Sequence, residues 1–337
     1  MDRRTVLGLG ATAAFAGLTR QAFAEKMNAA GMLSTESTES VLLWPGTPPG
    51  GDGVSLTEKV TERSPNTDLY NDRIVTAVAT PRFYVYRPAK PDGSAVVLVP
   101  GGAYVREVID KDGLEVAERL NASGVTAFVL RYRLPAEGWA NGADVPLQDA
   151  QRAVRLIRAG AQGFGIDPNR FGIIGSSAGG HVAAMLATRS NDAVYKPVDD
   201  IDKLDAKPDF VGLLYPVITM SAAGAHPLSR LSLLGLDPSD ARAAAYSCER
   251  LVTQDTPPNF ICVAADDEAV PPMENAMAMF HAARQAKVPA ELHVYQEGGH
   301  GFGIRLSKGK PASGWPNLFL SWGYSNGWFR DPGAAPA

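Results

Sequence analysis

The pentapeptide Gly175-Ser176-Ser177-Ala178-Gly179 follows the apolar run Phe171-Gly172-Ile173-Ile174 and precedes a helix-like segment, His181 to Thr188. A chain that passes from strand to helix in so few residues must turn sharply, and only small residues can flank the apex. G-x-S-x-G in this setting places a serine hydroxyl clear of a sheet edge, with the Ala178 N–H beside it. The same letters also spell an ordinary Gly/Ser turn, so the rest of the chain must supply partners before the serine means chemistry.

A nucleophilic serine needs a base, a group that orients the base, and donors for an oxyanion. The base candidate is His300, in the glycine-rich stretch Gly298-Gly299-His300-Gly301-Phe302-Gly303 after the strand-like segment Glu291 to Tyr295. His181 reads as a packing residue behind the serine, and His281 and His293 fall within regular elements. His226 lies in an irregular segment and is a candidate for lining a substrate pocket, as is Tyr104. The acid is either Asp266 or Asp267, which follow the apolar strand that ends at Ala265. Pro100-Gly101-Gly102-Ala103-Tyr104 follows the strand Ala95 to Val99, and its backbone N–H groups are not shielded by large side chains. Gly102 and Ala103, with Ala178, are the candidate oxyanion donors. The order Ser…Asp…His is the one expected of a nucleophile-elbow fold.

These motifs resemble the α/β-hydrolase superfamily, in the branch that holds acetyl xylan esterases and related carbohydrate esterases. The resemblance runs from Leu43-Trp44-Pro45-Gly46 through Tyr132-Arg133-Leu134-Pro135, Gly165-Ile166-Asp167-Pro168 and the serine turn to Asp267-Glu268-Ala269-Val270-Pro271 and the His300 loop. In that family the acid precedes x-x-Val-Pro, which selects Asp267. The resemblance implies a mostly parallel, doubly wound sheet, helices on both faces and a small cap insertion. It also implies ester hydrolysis on short acyl groups, with acetylated xylan the leading substrate and a general short-chain carboxylesterase the alternative. Ala103 departs from the family pattern, which usually has a third glycine there; a negative φ would accommodate its methyl group. A binding protein on a hydrolase scaffold is the non-enzymatic alternative.

The apolar runs support this architecture. Ile74–Val78 and Arg82–Tyr86 alternate and read as early antiparallel strands. Ala95–Val99, Val125–Leu130, Arg170–Ile174, Phe210–Leu214, Asn259–Val263 and Glu291–Tyr295 read as buried strands. Helical patterns at Leu114–Asn121, Leu147–Ala161, His181–Thr188 and Met273–Ala286 lie between several of them, which implies parallel pairing with both faces covered. Residues 71–330 then form the catalytic domain. Residues 25–70 are polar and read as a surface arm, disordered in part. The stretch 219–258 is too long for a plain loop and is expected to fold into small helices roofing the site. Trp315, Trp322 and Trp328 either pack the last helix on the sheet or form a sugar-stacking platform.

Residues 1–24 have the layout of an export signal: Arg3-Arg4, an apolar run to Leu18, then Ala22-Phe23-Ala24 as a cleavage site. The arginine pair points to twin-arginine export and a periplasmic or secreted protein. The apolar run is shorter than the ~20 residues that span a bilayer, so no membrane is expected as a partner of the mature chain. A net charge of −4 leaves no basic footprint for nucleic acid. Two cysteines cannot make a disulfide framework; Cys262 reads as a buried thiol, with a bridge to Cys248 the alternative. No zinc-ligand spacing, dinucleotide fingerprint or phosphate loop is present, so the chemistry is expected to need no cofactor or metal.

Overall fold

The computed structural model describes Ser37 and residues 39–330; the leader assigned to residues 1–24 lies outside them. Eight strands form the main sheet. In chain order they are β1 (Ser40–Leu42), β4 (Arg82–Tyr86), β5 (Ala95–Val99), β7 (Thr126–Arg131), β8 (Phe171–Ser176), β9 (Phe210–Leu214), β10 (Asn259–Ala264) and β11 (Ala290–Tyr295). Their spatial order is β1-β4-β7-β5-β8-β9-β10-β11. β1 and β4 pair antiparallel, as do β4 and β7, and the remaining pairs are parallel. A second, antiparallel sheet joins β2 (Lys59–Glu62), β3 (Arg73–Thr76) and β6 (Glu107–Val108).

The sequence explains the layering. β5, β7, β8, β9 and β10 are buried at every residue, which requires apolar side chains on both faces of each strand. Successive side chains go to opposite faces. Ala95, Val97 and Val99 therefore join one core with Leu147, Val154 and Val182 from the helices Val145–Ala159 and Ala178–Arg189. Val96 and Leu98 join the other, with Val116 and Leu120 from the helix Glu115–Asn121 and Phe319 and Trp322 from the helix Trp315–Ser325.

One expectation needs correction, and two open alternatives are decided. The segment 25–70 is more than a surface arm over its described part: it supplies β1 and β2 and buries Leu43 and Trp44 in the core. Trp44 is held because its indole donates to Asp149 Oδ1 at 2.8 Å, while the guanidinium groups of Arg133 and Arg152 each lie 5.6 Å from its ring. The tryptophans near the end form no sugar platform. Trp315 is fully buried and Trp322 nearly so, and the Trp328 ring packs at a tilt against Phe210, 4.7 Å between centroids. Their area is taken up by packing the last helix. Cys248 and Cys262 are both buried free thiols. Among the described residues no helix is long and apolar enough to cross a membrane.

Asp149 anchors this arrangement. Its carboxylate receives the Trp44 indole, the Arg133 backbone N–H and a forked pair of guanidinium bonds, with both charged side chains fully buried. Breaking a buried pair from one side leaves the other charge uncompensated, so Asp149→Ala is expected to cost about 3–5 kcal/mol of unfolding free energy. Urea unfolding followed by tryptophan fluorescence measures this; a loss below about 1 kcal/mol would show the pair to be a peripheral one.

Candidate active site

Ser177 sits between β8 and the helix Ala178–Arg189, at φ 54° and ψ −119°. That backbone is rarely populated by a residue with a Cβ, and it persists only where the surroundings enforce it. The flanking glycines show how. A Cβ on Gly175 would lie 2.1 Å from the Gly179 carbonyl oxygen, and one on Gly179 would lie 2.1 Å from the Val99 oxygen of β5. The helix thus begins against the neighbouring strand, closer than any side chain allows. The Ser177 N–H donates to Leu214 of β9 at 3.0 Å, which fixes the turn from the other side.

Ser177 Oγ lies 2.8 Å from His300 Nε2, and His300 Nδ1 lies 2.8 Å from Asp267 Oδ2. The three come from the ends of β8, β11 and β10. The two adjacent acids have separate jobs. Asp267 is buried, and its second oxygen accepts the N–H groups of Ala269 and Val270 at 3.0 and 2.9 Å. This is the physical content of the Asp-x-x-Val spacing: the carboxylate closes its own turn while facing the imidazole. Asp266 is exposed and accepts from Gly298 and Gly299 at 2.9 and 2.8 Å, tying down the loop that carries His300. Those bonds, Gly299 first, hold its carboxyl below the usual range. Glu268 is exposed.

The loop after β5 lies across from the serine. Gly102 has φ 135°, Ala103 58° and Tyr104 63°. The negative φ that would accommodate the Ala103 methyl group without strain is not adopted: the residue is left-handed, at a cost of about 1–2 kcal/mol for a side chain bearing Cβ. A Cβ at Gly102 would meet the Arg106 carbonyl oxygen at 2.1 Å, so the loop tightens into a turn that only glycine permits there. Among the described residues no backbone carbonyl accepts from the N–H of Gly102 or Ala103. Ala178 opens its helix, where the first N–H groups have no intrahelical acceptor.

A cleft of about 260 Å³ is lined by Gly102, Ala103, Ser177, Tyr215, His226 and His300, with Arg63, Arg106, Lys111 and Asp112 at its polar side. His226 stands at the start of the helix Pro227–Leu234, within the 219–258 stretch, and Leu228 of that helix also faces the cleft. Its ring lies parallel to that of His300 at 6.4 Å. Burial lowers its pKa, and His300 adds to the effect.

Tyr104, expected in the substrate pocket, is not part of this lining. Its left-handed backbone turns the side chain inward, where it is 1% exposed and its hydroxyl lies 2.7 Å from His181 Nδ1. His181 Nε2 lies 2.7 Å from the Tyr246 carbonyl. A carbonyl only accepts, so Nε2 carries the proton and Nδ1 accepts from Tyr104. The pair braces the serine helix against the loop that holds Gly102.

Two contributors gave no sequence signal. Asp112, in the one-turn π-helix Asp110–Leu114, accepts from the Gly101 N–H at 3.2 Å and the Tyr215 hydroxyl at 3.1 Å. Lys111 donates to the Gly301 carbonyl at 2.9 Å, next to His300. No motif marks residues 110–113; only tertiary contact brings them here. Among the described residues no group of three or more His, Cys, Asp or Glu is placed to hold a metal ion.

Comparison with known proteins adds three findings. A family model described as BD-FAE matches residues 83–281, more than half of the chain. An acetylxylan esterase of Xylanibacter ruminicola is 33% identical over 222 residues, 65% of this chain and 43% of that protein. An endo-1,4-beta-xylanase B of Butyrivibrio fibrisolvens is 34% identical over 220 residues, 65% of this chain and 34% of that protein. The chain thus spans less than half the length of either relative. The crystal structure of an acetyl ester-xyloside bifunctional hydrolase from Caldicellulosiruptor lactoaceticus superposes with a TM-score of 0.71 at 29% identity, covering 89% of this chain and all of that one.

His181 yields a pH test. Burial lowers its pKa from 6.5 to about 4, with Arg189 contributing in the same sense. A histidine with a depressed folded-state pKa leaves the unfolded chain binding the extra proton, so stability falls as pH drops from 6.5 towards 4 and is unaffected above that window. The shift corresponds to a loss of up to about 3 kcal/mol relative to His181→Gln across those pH values. Parallel stability curves for the two proteins would contradict the assignment of a neutral, buried imidazole.

Proposed function

The chain belongs to the BD-FAE family and has the α/β-hydrolase fold, and on that footing we propose that it is a serine esterase that removes short acyl groups, acetyl first, from xylan or related plant polysaccharides and their oligomers. One observation carries the reading: the unbroken relay from Ser177 Oγ through His300 to the buried Asp267, at 2.8 Å for each link. The acetylxylan esterase and the acetyl ester-xyloside hydrolase among its relatives support the acyl group and the carbohydrate.

In this mechanism Ser177 Oγ attacks the ester carbonyl and gives its proton to His300 Nε2. Asp267 holds the Nδ1 proton and stabilises the imidazolium that forms. The N–H groups of Ala178 and of Gly102 or Ala103 receive the oxyanion. The tetrahedral intermediate collapses, the alcohol leaves with the proton from His300, and the acyl group stays on Ser177. Water, deprotonated by His300, then releases the acid by the reverse steps. The same reading makes residues 71–330 the catalytic domain and residues 219–258 its roof, which His226 and Leu228 support by facing the cleft. It also makes residues 1–24 a twin-arginine leader and the mature protein periplasmic or secreted.

Hydrolysis of 4-nitrophenyl acetate, butyrate and octanoate, measured beside acetate release from acetylated xylan, tests the proposal. Acetate release from xylan with little octanoate turnover is the expected result. Turnover of the small esters without release from xylan would keep the serine chemistry and discard the polysaccharide. Ser177→Ala is expected to lower kcat by at least about three orders of magnitude while the protein still folds; retained turnover would end the serine mechanism.

The two neighbouring acids make a sharper test. Asp267→Asn leaves the shape of the site but no longer fixes the imidazole proton at Nδ1, and is expected to lower kcat by about 10³–10⁴. Asp266→Asn loosens only the loop anchor and is expected to cost far less. Equal losses at the two positions would mean that Asp267 acts through loop structure alone.

A further inference from the structure

Arg106 is a cation of the cleft that the proposed ester chemistry does not use. It closes the turn that begins at Gly102, donating its N–H to the Gly102 carbonyl at 3.3 Å, and it lines the cleft with Ser177 and His300. The other charges of the lining are engaged. Arg63 pairs with Asp72 at 2.9 Å, and Lys111 donates to the Gly301 carbonyl. Asp112 already receives the Gly101 N–H and the Tyr215 hydroxyl and lies 3.8 Å from Lys111. Among the described residues the Arg106 guanidinium has no carboxylate partner and no hydrogen-bond acceptor, and its Nε is enclosed without one.

A guanidinium partly withdrawn from water with nothing to accept its protons is a standing cost. A planar carboxylate offsets that cost better than a neutral oxygen does, because its two oxygens match the donor fork and its charge is opposite. The surrounding field agrees. Arg63 is balanced by Asp72 and Lys111 by Asp112, which leaves Arg106 as the uncompensated charge around the space where the substrate would lie.

We propose that Arg106 is a specificity-determining residue that binds a carboxylate carried by the ester substrate. The inference rests on the esterase reading of the same cleft and narrows it to acidic esters: a carboxylate-bearing sugar on the alcohol side of the ester, or an acyl group derived from a dicarboxylic acid. These two sources present the same chemistry to Arg106 from opposite sides of the scissile bond.

Two matched ester pairs separate them. On the alcohol side, 4-acetoxybenzoate is compared with phenyl acetate. On the acyl side, the 4-nitrophenyl hemiester of succinic acid is compared with 4-nitrophenyl butyrate. For each pair the ratio of kcat/KM, anionic over neutral, is measured for the full-length protein, for Arg106→Gln and for Arg106→Lys. Using ratios cancels leaving-group differences and any general loss of activity in a variant. The expected result is a fall of about tenfold or more in the ratio for one pair in Arg106→Gln, carried by KM, lessened by added salt and partly restored in Arg106→Lys. The pair that responds tells which side of the bond carries the acid. Ratios that stay within twofold of the unsubstituted protein for both pairs overturn the inference. Failure of the unsubstituted protein to turn over any of the four esters would instead sink the esterase reading, so the two failures are distinct.

Discussion

A close approach of backbone to backbone governs the rest of the site. The helix that follows β8 starts with Gly179 against the Val99 carbonyl of β5, and Gly175 lies under the Gly179 carbonyl. Neither position leaves room for a methyl group. The chain can make this contact only by turning so tightly that Ser177 takes a positive φ. The strain at one residue is maintained by bonds on both sides: the Ser177 N–H to Leu214, and the Val217 N–H to the Ser177 carbonyl. The parallel sheet is what makes such bonds available, since β5, β8 and β9 end at the same level.

Around that turn, the supporting contacts come from charged or polar groups removed from water. Asp267 is held by its own following turn, Asp112 by the Gly101 amide and the Tyr215 hydroxyl, and His181 by Tyr104 and the Tyr246 carbonyl. Each is a buried acceptor or donor whose partner is a backbone group or a neighbouring ring, so the geometry is fixed before any ligand arrives. Preorganisation of this kind is what gives fixed dipoles their value in a site. Arg106 is the exception in the lining: it is positioned by its backbone but unanswered at its guanidinium.

Much of this was legible in the chain. The fully apolar strands Ala95–Val99 and Phe210–Leu214 fall where the runs placed them, because a strand buried on both faces leaves a signal that no other element leaves. The serine turn was legible because it demands glycines at fixed offsets. Other features were hidden for identifiable reasons. β2 and β6 are short and half polar, and β6 reaches β3 only after the chain has passed through β4 and β5. The tryptophans of the last helix could be packing or a platform until the sheet face beneath them was known. The left-handed Ala103 could not be foreseen, since nothing in alanine favours that backbone; the loop imposes it. Tyr104 is its consequence, turned inward to His181 instead of out to the cleft.

The sequence by itself determined the order and type of the buried strands and the helices between them, the sharp turn at Ser177 and the candidate residues at strand ends, because burial periodicity and glycine sterics act locally. The tertiary structure alone decided which N–H groups are left without carbonyl partners, that Tyr104 braces where it was expected to bind, and that Lys111, Asp112 and Arg106 share the cleft with Ser177. Those outcomes depend on distances between residues far apart in the chain. Such distances are set by how the layers pack, and no local pattern records them.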